Sequence, residues 1–320
     1  MDKNILDNLT LEGAFQLAHK KMQENAYDEV VSIYSDILLK FPHNKKARDL
    51  LKKLPYEDFF HKGNHHLKNG DMKLAASHYK NAIRVNPDFA QAHCNLGVVY
   101  EKLRENKKAI ECYENAVEIN SDYLIAHMNL GVILMNMGNT INAEVCFKKA
   151  LEISPNHASA KINIGNIYLT KLDLDSAGKN YKDAIKIDPK EVDAYYNMGI
   201  VEGKRNNFKN SLDWYSKTLQ IQPNHYNALN NMGTIYLEMS DLTRAEKSFA
   251  EALKFYPSFS EAHNNLGHVL RLKGEEGAIH CFKNALINKP NFKEAYLNIA
   301  AALQTTSFTK YDAEFDIVLL

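Results

Sequence analysis

Apolar and polar residues follow one another along this chain in pairs of short stretches, each with helical spacing. Within residues 95–120, Leu96, Val99, Tyr100 and Leu103 recur at intervals of three or four, and a second apolar set follows after a polar turn. This spacing places apolar side chains on one face of an α-helix. The pattern therefore predicts pairs of amphipathic helices joined by short turns.

Prolines, glycines and aromatic residues mark a period of 34 residues. Prolines keep this spacing from Pro155 to Pro257. A fixed period of this length is typical of a repeat array, so it overrides the estimate of two domains that the 320 residues suggest. The glycines of the period are Gly63, Gly97, Gly131, Gly165, Gly199, Gly233 and Gly267. The rings are Tyr79, Tyr113, Phe147, Tyr181, Tyr215, Phe249 and, one residue early, Phe282.

Counting the glycine as position 8 of each unit divides the chain into three parts. Residues 1–55 contain a divergent unit and an insertion, 45–55, that predicts a short basic helix. Residues 56–292 contain seven consecutive units. Residues 293–320 are a partial unit or a junction to a missing domain, and they end on an apolar run.

The small residues predict how the two helices of a unit meet. Gly at position 8 and Ala at position 20 remove bulk where the helices cross, and the ring at position 24 fills the neighbouring space. Proline at position 32 ends the second helix. We therefore expect Gly165→Leu to overpack the crossing.

Composition excludes several classes of protein. The 39 basic and 39 acidic residues balance, which disfavours nucleic acid as a partner. No apolar stretch reaches the ~18–20 residues of a membrane span, and the first residues lack a secretory signal. Four cysteines are too few for a disulfide scaffold. We expect a cytoplasmic protein without membrane insertion.

The motif AHxNLGxxY, as in residues 92–100, with the later Ala, ring and Pro, resembles the tetratricopeptide repeat over about residues 11–310. The resemblance implies an all-α, right-handed superhelical solenoid of about eight to nine antiparallel helix pairs. It also implies a concave groove lined mainly by the first helix of each pair. The array resembles that of O-linked N-acetylglucosamine transferases, in which an asparagine ladder contacts bound peptide.

Position 6 of seven successive units is asparagine, and this ladder is the candidate peptide-binding site. A carboxamide offers both a donor and an acceptor to a peptide backbone. The alternative is that the amides bond between neighbouring helices, because buried amides usually find partners within the fold, and the two roles can coexist. The ladder consists of Asn95, Asn129, Asn163, Asn197, Asn231, Asn265 and Asn298.

Other candidate chemistry is weaker. Positions 5 and 9 carry no set of basic residues, which disfavours a clamp for a C-terminal carboxylate. His93, His127 and His263 share position 4, where packing explains a ring better than metal binding does. His61 and His65 lie one helical turn apart without an evident third ligand. We expect no metal and no cofactor.

Two functions remain open. The first is a non-catalytic scaffold that binds a peptide or partner protein in its groove, since no catalytic signature is present. The second is the substrate-recognition array of a glycosyltransferase, methyltransferase or sulfotransferase whose catalytic domain is absent. The apolar ends also suggest a homodimer.

Overall fold

The computed structural model describes residues 4–305, with side chains to residue 303. These residues form helices and turns, beginning with a 3₁₀ turn at Ile5–Asp7. The α-helices are α1 Leu11–Gln23, α2 Tyr27–Lys40, α3 Lys45–Leu51, α4 Tyr56–Asn69, α5 Met72–Val85, α6 Ala90–Lys102, α7 Asn106–Ile119, α8 Leu124–Asn136, α9 Thr140–Ile153, α10 Ala158–Thr170, α11 Leu174–Ile187, α12 Val192–Lys204, α13 Phe208–Ile221, α14 Tyr226–Glu238, α15 Leu242–Phe255, α16 Ser260–Lys273, α17 Ala278–Asn288 and α18 Lys293–Thr305.

The chain divides into two compact halves, residues 1–160 and 161–320. Each half is an array of antiparallel helix pairs, because consecutive helices joined by short turns pack on each other. In the first half α6 also contacts α4 and α8, and in the second half α14 contacts α12 and α16, while α16 contacts α18. The first helices of the pairs therefore form a continuous layer within each half, which we call the first-helix face. The predicted all-α array of stacked helix pairs is confirmed.

The predicted crossing of the two helices is a contact between a glycine and a ring. A Cβ atom built on Gly165 would lie 2.6 Å from Cε1 of Tyr181, and the six equivalent glycines meet their own rings at similar distances. Tyr181 is fully buried. The ring at position 24 thus packs against the backbone of the first helix at position 8. This contact explains why both residues recur.

The turn inside each pair has a residue in the left-handed region, and the turn between α16 and α17 has two. Gly138 has φ of +81°, but Arg104, Leu172 and Ser240 adopt φ of +60° at the same position. An L-residue in this conformation costs about 1–2 kcal/mol. The stacking of the helices therefore imposes the turn even where the sequence does not favour it.

The N-terminal part of the array departs from the repeat. Thr10 caps α1 by accepting a hydrogen bond from the Gly13 N–H at 3.1 Å. The predicted basic helix in the insertion is α3, which buries Ala47 and Leu51. Because of this insertion, α2 packs on both α3 and α5.

Among the residues that the structure describes, no helix combines the length and apolar character needed to cross a membrane. The apolar residues that end the chain, which motivated the predictions of a domain junction and a homodimer contact, lie outside the described range.

Candidate peptide-binding surface

The seven asparagines of the ladder occupy equivalent places on the first helices α6, α8, α10, α12, α14, α16 and α18. All seven side chains are half-buried. A helix of the repeat presents position 6 beside the small position 8, where the ring from the second helix packs. Within each half, the ladder therefore follows the line along which successive first helices meet.

In the first half, two ladder amides donate hydrogen bonds to the preceding pair. Asn95 Nδ2 donates to Asn64 Oδ1 at 2.9 Å and lies 3.5 Å from the Tyr79 hydroxyl. Asn129 Nδ2 contacts Cys94 Sγ at 3.9 Å, which is a weak acceptor. These contacts link α4 to α6 and α6 to α8.

In the second half, the donors follow the same direction. Asn197 Nδ2 donates to Asn166 Oδ1 at 3.1 Å. Asn231 Nδ2 donates to the Tyr196 hydroxyl at 3.1 Å and contacts the Tyr215 hydroxyl at 3.4 Å.

The last two members complete the series. Asn265 Nδ2 donates to Asn230 Oδ1 at 3.1 Å, and Asn298 Nδ2 donates to Asn264 Oδ1 at 2.9 Å. The amide nitrogens of six ladder residues are thus used inside the protein. This is the inter-helix role that the sequence left open.

The amide oxygens are placed differently. Within residues 4–303, Oδ1 of Asn95, Asn129, Asn197 and Asn265 accepts no hydrogen bond. Buried polar side-chain atoms without a hydrogen-bond partner are limited, in this same range, to His78 Nδ1 and Arg271 Nε. The four oxygens therefore reach the surface, where they can accept hydrogen bonds from a ligand.

The thiol and hydroxyl groups that contact the ladder amides are uncharged at neutral pH. Burial raises the pKa of the Cys94 thiol to about 11 and the pKa of Tyr79 to about 12, against the opposing effect of its bond to Asn95. Burial likewise raises the pKa values of Tyr196 and Tyr215. This surface is suited to neutral polar groups such as peptide amides.

The partners of the ladder were not predicted from the sequence. Where position 9 is asparagine, as at Asn64 and Asn166, the amide reaches that residue. Where position 5 is polar, as at Tyr196, Asn230 and Asn264, the amide reaches position 5 instead. The feature of the sequence that could have indicated these partners is that polar residues occur at position 5 or position 9 of the preceding unit.

The histidines at position 4 form hydrogen bonds with backbone carbonyls in the turn that precedes their helix. His127 Nε2 lies 2.9 Å from the carbonyl oxygen of Ser121, and His93 and His263 make the same contact to Pro87 and Pro257. Because a carbonyl only accepts, the ring N–H must donate. The tyrosine that replaces histidine at Tyr195 bonds the carbonyl of Pro189 through its hydroxyl at 3.2 Å.

The other histidines and the cysteines do not form a metal site. His65 bonds Asn69 at 3.0 Å, while the ring of His66 stacks on His78 at 5.2 Å. Across the described residues, no three or more His, Cys, Asp or Glu side chains are grouped to hold a metal ion. The four cysteines are free thiols.

Family models describe most of this repeat pattern. Models of the tetratricopeptide repeat match residues 90–123, 125–157, 158–191 and 191–258, and a TPR repeat model matches residues 63–103. Together these matches span more than half of the 320 residues. No curated protein sequence matches the chain.

Solved structures share the fold at low sequence identity. A tetratricopeptide repeat protein from Parabacteroides merdae is 19% identical with a TM-score of 0.64, over 78% of this chain and 98% of that protein. PilW, a type IV pilus biogenesis factor, is 18% identical with a TM-score of 0.59, over 65% of this chain and 97% of PilW. The Cut9–Hcn1 hetero-tetramer of APC/C gives 14% identity and a TM-score of 0.63, over 94% of this chain and 57% of the matched chain. With the period, the glycine–ring contact and the family matches, the chain belongs to the tetratricopeptide repeat family.

Proposed function

We propose that this chain is a non-catalytic interaction scaffold that binds an extended peptide segment along its first-helix face. The observation that carries the proposal is that the two polar atoms of a ladder amide have different surroundings. The amide nitrogens bond inside the protein, and the oxygens of Asn95, Asn129, Asn197 and Asn265 reach the surface. An extended peptide carries a row of backbone N–H donors that these acceptors can satisfy.

Recognition of this kind depends on the peptide backbone more than on its side chains. Asn Oδ1 accepts hydrogen bonds but cannot donate them. The neighbouring Cys94 and Tyr79 are neutral, since burial raises their pKa values to about 11 and about 12. We therefore expect a bound segment to be selected for an extended conformation with free N–H groups, and only secondarily for charge.

The test combines protein variants with modified peptides. Binders are first selected from a library of short peptides on the folded protein, and their affinity is then measured by calorimetry. Asn95→Ala, Asn129→Ala, Asn197→Ala and Asn265→Ala, which remove the four surface oxygens, are combined in one variant. The matched control replaces three exposed asparagines away from the ladder, Asn106→Ala, Asn224→Ala and Asn291→Ala.

N-methylation of alternate peptide residues removes backbone donors and should weaken binding to the wild type by about tenfold or more. It should have a much smaller effect on the ladder variant, whose acceptors are already gone. Equal effects of N-methylation on both proteins would show that the ladder oxygens do not receive the peptide backbone.

The transferase-array hypothesis makes a different prediction. It requires a catalytic domain or a separate catalytic chain that acts on the bound peptide. Neither hypothesis expects calorimetry to show binding of a nucleotide sugar to the isolated chain. Only the transferase-array hypothesis predicts that a co-purified transferase modifies peptides selected on this surface.

A further inference from the structure

A second surface lies away from the ladder, where α5, α6 and α7 line an open pocket of about 360 Å³. This volume is within the range of small-molecule sites. None of the ladder asparagines lines it. Its apolar part consists of Ile83, Leu96 and Tyr100. The ring of Tyr100 is nearly buried, with 8% of its surface exposed.

Cations from two helices surround this apolar part. The ammonium of Lys80 lies 5.6 Å from the centroid of the Tyr100 ring, and that of Lys108 lies 5.3 Å from the same centroid. Attraction by the ring face holds each ammonium there, but the two like charges repel each other. Lys108 also pairs with Glu105 outside the pocket lining.

Arg84 adds a third cation. One guanidinium nitrogen, Nη1, donates to Asn81 Oδ1 at 3.1 Å, which fixes the side chain and leaves its other donors for a ligand. Glu111 supplies a carboxylate to the lining. Three cations and one carboxylate give the lining two positive charges, and Glu105, just outside the lining, offsets one of them at Lys108.

The remaining polar groups of the lining do not change this balance. His93 Nε2 lies 2.9 Å from the carbonyl oxygen of Pro87 and so donates its proton there. Burial raises the pKa of the Cys112 thiol to about 12. The thiol therefore stays protonated, and it does not balance the positive charge of Lys80 and Arg84.

We propose that this pocket binds an organic phosphate monoester. A phosphate carries about −1.5 to −2 charges at pH 7 and three strong acceptor oxygens, which match the heads of Lys80, Lys108 and Arg84. Its organic group packs on Ile83 and on the part of Tyr100 that reaches the surface. The proposal does not depend on the peptide-binding surface, which uses other residues.

Phenyl phosphate is the probe that tests the site. Titration into the full-length ¹⁵N-labelled protein should produce saturable chemical-shift changes confined to α5, α6 and α7. The double variant Lys80→Gln and Lys108→Gln should bind at least about tenfold more weakly. The control Lys73→Gln and Lys107→Gln removes the same charges from exposed positions of the same two helices and should bind like the wild type.

A third variant tests the charge balance without removing a cation. Glu111→Gln at this exposed position should tighten binding severalfold. The proposal is overturned if phenyl phosphate gives no saturable shifts, or if the Lys80 and Lys108 variant binds as well as the wild type. It is also overturned if inorganic phosphate binds as tightly as phenyl phosphate, because the apolar part would then play no role.

Discussion

Each glycine at position 8 faces the edge of an aromatic ring, and this contact leaves no room for a side chain. At Gly165 a methyl group would lie 2.6 Å from Tyr181 Cε1, well inside van der Waals contact. Gly165→Ala should therefore lower the free energy of unfolding by about 1–3 kcal/mol, since either the ring or the backbone must shift. Urea unfolding followed by circular dichroism measures the change.

Gly178 provides the matched control. It also lies in a helix, α11, but a methyl group there would meet Val201 Cγ1 at 3.6 Å, which is ordinary contact. Gly178→Ala should raise the free energy of unfolding by roughly 0.5–1 kcal/mol through helix propensity. If both substitutions changed stability alike, the ring contact would not be what requires glycine at position 8.

His225 makes stability depend on pH. Its Nδ1 accepts the N–H of Ala228 at 3.1 Å and so caps α14, while its ring lies 4.8 Å from that of Tyr196. Burial lowers the pKa of His225 below its ordinary value. The folded protein then binds fewer protons than the unfolded chain below about pH 6.5, and stability falls as the pH falls through that value.

We expect the free energy of unfolding to be smaller at about pH 5.5 than at about pH 7.5. His225→Asn keeps an oxygen acceptor for the cap without a titrating ring, so this variant should lose less stability on acidification. His78 and His268, whose pKa values burial also lowers, should retain part of the effect. If His225→Asn lost as much stability on acidification as the wild type does, His225 would not be one of the groups that cause the pH dependence.

Single residues show where reading the sequence succeeds. The pairing of glycine and ring was predictable because both recur with one period and their sizes are complementary. The hydrogen bond from His127 to Ser121 was not. A ring that packs and a ring that also donates look alike in a sequence, and the choice between His and Tyr at Tyr195 becomes informative only once the acceptor is known.

At the scale of elements, the turns inside the pairs carry conformational strain. Leu172 has φ of +60° and 68% of its surface exposed, so it loses little by removal of its side chain. Leu172→Gly should raise the free energy of unfolding by about 0.5–1 kcal/mol, the relief of left-handed strain less the greater flexibility of unfolded glycine. Chemical denaturation of the two proteins measures this difference.

Leu172→Ala is the control, because it removes the leucine side chain but keeps the strain. Its stability should stay close to that of the wild type. A gain in Leu172→Ala equal to that in Leu172→Gly would mean that the exposed leucine, not the backbone, causes the loss.

Helix positions follow from the sequence more securely than the contacts between them. The period and the prolines predicted helix pairs, and α18 begins at Lys293, the first residue of the predicted last unit. The choice of hydrogen-bond partner was not predictable. From position 6, an amide reaches either position 5 or position 9 of the preceding pair, and the two lie on the same helix face.

For the whole molecule, the fold and the site rest on different information. The fold depends on residues that recur in every unit, so each unit of the sequence predicts the same helix pair. The hydrogen bonds of the candidate surface depend on positions that vary from pair to pair, such as Cys94, Tyr196 and Asn230. The sequence therefore predicts the ladder as a candidate surface, while the orientation of its amides is seen only in the three-dimensional structure.

The ladder bonds have a consequence for the length of the array. Excision of residues 226–259, one full period, would bring Asn265 to the place of Asn231, where the hydroxyl of Tyr196 already serves as acceptor. We expect the shortened chain to fold with full helical circular dichroism per residue. Excision of residues 226–245, which is out of phase, should abolish cooperative unfolding because Phe249 loses Gly233.

If the in-phase excision also abolished cooperative unfolding, each contact between neighbouring helix pairs would depend on its own particular residues. If the chain shortened in phase does fold, one helix pair can take the place of another in the array. A gene for such a protein can gain or lose 34-residue segments by duplication and deletion without redesign of the core. Under the proposed function, the number of side-chain amide oxygens offered to a peptide, and with it the length of peptide bound, then changes by the amount that one unit provides.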